Sequence, residues 1–380
     1  MLPQLSQQLL TQWPAQLVGR RRPSQLRFLG LRTRVGDGYA LFLAFADADH
    51  APCLAVKVAR EPGAESRLKH EWDTLHHFRH QGAPWLVASL PAPILWTNMS
   101  GTNILATTAP AGQPIRTSPG FAEEHFARVG DWLAQLARAT HTSRPMAMLR
   151  QKLEHTAEQL GATFELSKGE RMVVEGWVNQ WLAVMGNYQA TLFAAHGNLY
   201  SQNIWEQREH LAVVNWEQSE LADLPLRDIF TFMTTYHFPV TKRYPKERYL
   251  RTFQTTYLTD GPQADLACQT ITRYCRSLDL PLEAIEASFG LFLTQAALHE
   301  YDQLQVAANR GYLPLVSPPD RSKRPPYQQA IKDQLWINLL RMLIQERHHF
   351  KPNTHARIWQ SVRPGPLQQQ YVTGKHQVLG

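Results

Sequence analysis

The sequence predicts a two-lobed α+β protein: a small antiparallel β lobe with one helix, then a larger, mainly helical lobe. Three observations predict it. Strand-like alternation and hairpin turns crowd the first third. A Pro/Gly-rich link, Ala109-Pro110-Ala111-Gly112-Gln113-Pro114, follows. Beyond it, apolar residues recur at helical spacing with one β interruption. The boundaries are 1–112 for the β-rich lobe, with a leading helical segment at 1–20, and 113–350 for the helical lobe. Residues 351–380 form a basic tail without periodicity, expected to be loosely ordered.

Residues 1–18 read as a short helix on Leu5, Leu9, Leu10 and Trp13. Arg27–Val35 and Tyr39–Ala46 read as strands around Gly36-Asp37-Gly38. Cys53–Ala59 is a third strand, with Leu54, Val56 and Val58 on one face and Cys53, Ala55, Lys57 and Ala59 on the other. A helix over Ala64–Arg79 carries Leu68, Trp72, Leu75 and Phe78. Glu71 lies inside that apolar arc, and a carboxylate aimed into a core is costly unless paired, so it requires a cation. Ile94–Trp96 and Thr102–Thr108 form a hairpin around Asn98–Gly101. Past the link, Phe121–Thr140 is a helix striped by Phe126, Val129, Trp132, Leu133 and Leu136, and residues 150–194 hold two more. Strands Asn203–Trp205 and Leu211–Val214 flank a turn at Glu206–Glu209. Helices resume over Leu226–Tyr236 and near 245–259, 263–277, 281–308 and 327–349.

Bulk properties exclude several classes. With 43% hydrophobic and 19% charged residues in 380, the chain is neither disordered nor fibrous. Its longest apolar stretch, Ala287–Leu298, falls short of the roughly 20 residues a membrane span needs. The N-terminus lacks the basic and apolar blocks of a secretory leader. Cys53, Cys268 and Cys275 are too few for a disulfide framework and read as buried, reduced thiols of a cytoplasmic protein. The net charge of +7 comes from the ends. Arg20, Arg21, Arg22, Arg27, Arg32 and Arg34 precede the first acid, and the tail holds Lys351, Arg357, Arg363 and Lys375 with no acid. No nucleic-acid motif accompanies them, so a nucleic-acid partner is not expected. His76 with His80, and His348 with His349, have metal-ligand spacing but no Cys or acid to complete a site.

The most informative segment is His196-Gly197-Asn198-Leu199-Tyr200-Ser201-Gln202-Asn203. A short hairpin ending Val214-Asn215-Trp216-Glu217 follows, and then Pro225-Leu226-Arg227-Asp228. Order and spacing resemble the aminoglycoside phosphotransferase and choline kinase-like family, which has the protein-kinase-like fold. The family pattern is His-Gly-Asp with Asn five residues on, then Asp-Trp/Phe-Glu, then a structural Asp. Leu54-Ala55-Val56-Lys57 resembles the family's third-strand motif. The resemblance covers about residues 25–310 and implies ATP with Mg2+ as cofactors. It makes residues 1–112 the nucleotide-binding lobe, with Lys57, Glu71, Gly36, Gly38, Ala55 and Thr107 at the nucleotide. It gives Asn203, Asn215 and Glu217 to the metal, His196 and Asn198 to the catalytic loop, and Asp228 to architecture.

Two positions depart from that pattern. Asn198 stands where the family has its catalytic Asp, and Asn215 where it has its second metal-binding Asp. Both changes are nearly isosteric and remove a charge. A lost general base costs about 10²–10⁴ in rate, and magnesium is usually held by one or two carboxylates plus phosphates. Metal binding is therefore expected to weaken. Bulky Leu199 and Trp216 disfavour deamidation back to acids. Glu217 could still reach a metal; Glu206, Glu220 and Asp223 lie nearby in sequence without assigned geometry.

Three readings follow. One is a catalytically impaired pseudokinase with a nucleotide cleft. The second is an active ATP-dependent phosphotransferase acting on a sugar, amino alcohol or glycolipid hydroxyl. The third is a binding protein whose basic ends engage an anionic partner. The implied partners are a small-molecule acceptor or a protein. Tyr236, His237 and Phe238 fit an acceptor groove or, more simply, core packing, and Trp85, Trp96 and Trp336 fit core or lobe packing.

Overall fold

The computed structural model describes residues 1–11, 13, 22–31, 38–186, 191–207, 210–238, 246–309 and 334–353. Its first third is a five-stranded antiparallel sheet of β1 (Leu26–Leu31), β2 (Tyr39–Ala46), β3 (Leu54–Ala59), β4 (Pro93–Met99) and β5 (Thr102–Thr108), in spatial order β1-β2-β3-β5-β4. Gly36 and the tip of the first hairpin lie outside the described residues. The β4–β5 turn uses left-handed Ser100 and Gly101, and the Asn98 side chain accepts the Gly101 N–H at 3.1 Å.

Register sorts the side chains of β3. Leu54, Val56 and Val58 pack with Ala40, Ala44, Ile104 and Ala106 on the outer face, beneath Leu5 and Leu9 of helix α1 (Leu2–Thr11). On the inner face Ala55 sits opposite Thr107 and Lys57 opposite Leu105. Helix α2 (Pro62–Gln81) covers that face, with Ala64 and Leu68 against Tyr39 and Leu105, and Trp96 joins this inner cluster. Pro62 opens α2, and Gly82 closes it by donating its N–H to the Phe78 carbonyl at 2.7 Å. Cys53 departs from its expected face. It precedes the regular strand, packs in the outer cluster and donates its thiol to the Ala44 carbonyl.

Short helix α3 (Pro84–Ala88) precedes β4. After the sheet, the link closes with a two-residue strand, β6 (Gln113–Pro114). Helix α4 (Ala122–Thr140) buries its expected stripe, and β7 (Thr142–Ser143) follows it. Then come α5 (Met146–Thr163) and α6 (Lys168–Gly186). A capping box starts α6: Glu170 N–H donates to Ser167 Oγ at 3.2 Å while Glu170 Oε2 accepts the Ser167 N–H at 2.8 Å. The stretch expected to be helical to residue 194 instead ends in a strand, β8 (Thr191–Ala195), flanked by β7 and by β11 (Glu220–Asp223). Its sequence, TLFAA, is short and apolar throughout, and periodicity cannot separate such a buried strand from helix. Strands β9 (Ile204–Gln207) and β10 (His210–Val213) form the predicted hairpin, joined by β6. Glu206 is therefore a strand residue rather than part of a turn.

The remaining helices are α7 (Arg227–Tyr236), α8 (Lys246–Tyr257), α9 (Pro262–Ser277), α10 (Ile285–Asn309) and α11 (Leu335–Glu346). They share one large core that includes Trp181, Phe230, Phe289 and Trp336, with Trp85 packed on its edge. Tyr236 is buried there, the core-packing alternative for that residue. At Gly290 a Cβ would lie 2.3 Å from the Trp177 ring, so glycine lets α10 approach α6. All three cysteines are buried thiols outside any disulfide. No helix among the described residues is long and apolar enough to cross a membrane.

Candidate functional site

The site is assembled from β3, α2, the loop after β8 and the segment after β10. Lys57 Nζ donates to Glu71 Oε2 at 2.6 Å, and both residues are buried, at 6% and 2% exposure. The cation required by Glu71 is thus supplied by the neighbouring strand. Lys57 Nζ also lies 5.1 Å from the Tyr39 ring centroid. Burial opposes the Lys57 charge, yet Glu71, with help from Glu217, holds its pKa above the ordinary lysine value. Glu217 is buried close enough to act on Lys57.

The loop after β8 is held at both ends by side chains. Asp228, in the first turn of α7, accepts the N–H of His196 at 2.5 Å and of Gly197 at 2.9 Å. Burial raises the Asp228 pKa to about 6, against those two N–H groups and Arg227, which itself pairs with Asp223. Gly197 has φ +76°, and a Cβ there would sit 2.1 Å from the Gln218 carbonyl oxygen. Only glycine fits the close approach of the two loops.

His196 is fully buried and locked in one tautomer. Its Nε2–H donates to the Val214 carbonyl at 2.9 Å, so Nδ1 carries the lone pair that accepts the Asn198 N–H at 3.2 Å. Burial pushes its pKa down to about 4, so the ring is neutral near pH 7. His196 thereby connects the loop to the segment carrying Asn215.

The three asparagines form one chain of hydrogen bonds. Asn203 Nδ2 donates to the Asn198 backbone carbonyl at 2.8 Å, and Asn215 Nδ2 donates to Asn203 Oδ1 at 2.7 Å. Asn203 is 2% exposed, whereas Asn198 and Asn215 are half-buried. Asn215 has φ +69°, a region in which Asn and Asp are enriched among non-glycine residues.

Further contacts, which no local sequence pattern encodes, tie α2 to the segment after Asn215. His70 Nε2 donates to the Ser219 carbonyl at 2.7 Å, Thr74 Oγ1 lies 3.0 Å from Ser219 Oγ, and Phe78 meets the Trp216 ring edge-on at 5.3 Å between centroids. Such pairs join residues about 140 positions apart, beyond any local pattern. The structure therefore gathers Lys57 and Glu71 under the sheet, and His196, Asn198, Asn203, Asn215 and Asp228 in one network. Contacts of α2 with residues 216–219, and the proximity of Glu217 to Lys57, join the two groups. Ala55 and Thr107 face α2 on the same side of the sheet as Lys57. Gly38 adopts φ +67° beside Glu61 and Arg67, whereas Gly36 is not described.

Asn203 and Asn215 do not by themselves suit magnesium, and Glu217, the remaining residue given to it, keeps a buried carboxylate in the field of Lys57. Asn203 and Asn215 are neutral amides, and the Asn203 oxygen already accepts an N–H from Asn215. Of the nearby acids, Glu206 pairs with Arg128 at 2.6 Å and Asp223 with Arg227. Among the described residues, the one cluster of three His, Cys, Asp or Glu ligands close enough for a metal is Glu346, His348 and His349. It supplies the acid that the sequence reading did not give to that histidine pair, on an exposed helix end.

No family model matches the chain, and no curated protein matches it. Solved structures to which it is similar include aminoglycoside phosphotransferases and a choline/ethanolamine kinase family protein. An ADP-bound aminoglycoside phosphotransferase, APH(2'')-Ib, is 11% identical at a TM-score of 0.45 over 89% of this chain and 98% of its own. A GDP and kanamycin complex of APH(2")-IIia is 12% identical at 0.49 over 92% and 99%. A choline/ethanolamine kinase family protein from Mesorhizobium loti is 15% identical at 0.45, over 94% of this chain and all of that one.

Proposed function

We propose that this chain is a kinase-like protein that keeps a nucleotide cleft and has lost most of its capacity for phosphoryl transfer. The observation that carries the reading is an intact frame with neutral amides at both acidic positions. The buried Lys57–Glu71 pair fixes an ammonium beneath the sheet, while Asn198 lies in a loop tied by Asp228, and His196 joins that loop to the segment carrying Asn215. Phosphoryl transfer depends on positioning and on neutralising charge. Lys57 would hold the phosphates, and Ala55 and Thr107 would border the base. Asn198 cannot take a proton from an attacking hydroxyl. The three buried, reduced thiols suit a reducing compartment, which favours a cytoplasmic protein.

One specific observation favours a second reading, an active phosphotransferase on a small hydroxyl acceptor. The loop around Asn198 is as firmly anchored as a working catalyst requires, and a loose transition state draws little on early proton removal. Nucleotide titration of the wild type and Lys57→Met, with phosphoryl transfer measured in wild type and Asn198→Asp/Asn215→Asp, separates the two. The first reading expects nucleotide binding that weakens in Lys57→Met and transfer that emerges only in the double variant. Wild-type turnover within the roughly 1–100 s⁻¹ of working kinases overturns it.

A further inference from the structure

We infer that the Asn215 carboxamide stands in for a divalent cation, so that the cleft takes a nucleoside polyphosphate as the bare, metal-free anion. The ligand named here rests on the nucleotide cleft proposed above; the role of the amide does not.

The argument starts from a group whose orientation leaves no choice. The Asn198 backbone carbonyl is an acceptor only, so the atom of Asn203 that meets it at 2.8 Å is the NH₂ group. The Asn203 oxygen therefore faces Asn215. Two facing oxygens at 2.7 Å would repel, so Asn215 must present its own NH₂. Asn203 is buried, which makes an unsatisfied oxygen there costly. Asn215 supplies a partial positive charge to that oxygen, as a bound cation would to a facing carboxylate and amide.

The consequence follows from charge. A cation placed between these side chains would meet N–H hydrogens instead of a second oxygen. Turning Asn215 to offer its oxygen sacrifices the bond to Asn203 and still provides no anion. A bare polyphosphate would meet the Lys57 ammonium and amides in place of carboxylates at positions 198 and 215, while Glu71 is paired with Lys57 and Glu217 lies buried in its field. In Asn215→Asp, two acceptors face each other at the same distance and the pair demands a cation.

The test uses the full chain and two readouts. Thermal denaturation without nucleotide is compared in EDTA and in millimolar MgCl₂ for wild type, Asn215→Asp and Asn215→Ala. Wild type and Asn215→Ala are expected to melt at the same temperature in both buffers. Asn215→Asp is expected to melt lower in EDTA and to recover with magnesium. Calorimetric titration with ATP is then run in the same buffers. Wild type is expected to bind ATP in EDTA at least as tightly as with magnesium, and Asn215→Asp to shift that ratio by at least about fivefold toward magnesium. Magnesium raising the wild-type melting temperature, or tightening wild-type ATP binding tenfold, overturns the inference. So does an Asn215→Asp variant indifferent to magnesium in melting. ATP bound under neither condition overturns the ligand assigned here together with the nucleotide cleft. The melting response of Asn215→Asp then identifies which claim failed.

Discussion

Replacing Lys57 by Met should destabilise the protein by about 3–5 kcal/mol. At the 2.6 Å contact, two unit charges attract by about 6 kcal/mol at an effective dielectric constant near 20. Desolvating both ions costs several kcal/mol each, so the intact pair contributes little net stability. Removing one partner is a different matter, because Glu71, 2% exposed, is left as an uncompensated buried carboxylate. Glu71→Gln should cost less, because Lys57 keeps the Tyr39 ring and the field of Glu217. The double variant Lys57→Met/Glu71→Leu should recover most of the loss. The assay is urea denaturation followed by circular dichroism near pH 7. A Lys57→Met loss below about 1 kcal/mol would refute the buried-pair argument.

Asp228→Ala strands two buried N–H groups and should cost about 2–4 kcal/mol, with faster hydrogen exchange at His196 and Gly197 than elsewhere in the loop. Gly290→Ala drives a methyl into the Trp177 ring and should cost at least about 1–3 kcal/mol by the same denaturation assay. Acid should destabilise the wild type. His196 and His237, both pushed down to about 4 by burial, bind protons in the unfolded chain between pH 6.5 and 4 but not in the folded one, so their contribution is lost as pH falls through that window. Asp228, raised to about 6, acts oppositely between pH 6 and 4 and offsets about one histidine. The net fall in stability should therefore diminish in His237→Gln and grow in Asp228→Asn, as read from melting temperatures across that range.

Much of this architecture was legible because local chemistry and long-range packing agree. Glu71 sits where an amphipathic helix should have an apolar residue, and that misfit alone called for a buried cation, found in Lys57. Alternation along β3 placed Ala55 and Lys57 together because the sheet is covered by helices on both faces. Legibility failed where elements are short or where the partner is remote. Two-residue strands such as β6 and β7 have no period to detect; they exist because β9 and β8 offer free edges. Strand β8 is apolar on both faces and carries no alternation. The His70–Ser219 bond joins residues 149 positions apart, and no sequence spacing encodes it. Asn198 and Asn215 were visible as departures, but the direction of their hydrogen bonds depends on which acceptor Asn203 meets.

That direction bears on what the substitutions accomplish. An Asp-to-Asn change at an ion site is usually read as pure loss, since it removes charge while keeping shape. Here the network around Asn203 is complete without an ion: each amide hydrogen bond ends on a defined acceptor, terminating at the Asn198 carbonyl. Carboxylates at both positions would gather acceptors around Asn203, in a cleft where Lys57 already answers to Glu71, and the apo state would be strained until a cation arrived. With amides, the loop, the Asn215 segment and α2 can close on one another unaided, through His196, Asn203 and the Ser219 contacts. The loop around Asn198 and the segment after β10 are thus joined by hydrogen bonds of their own side chains, which the reading proposed above requires.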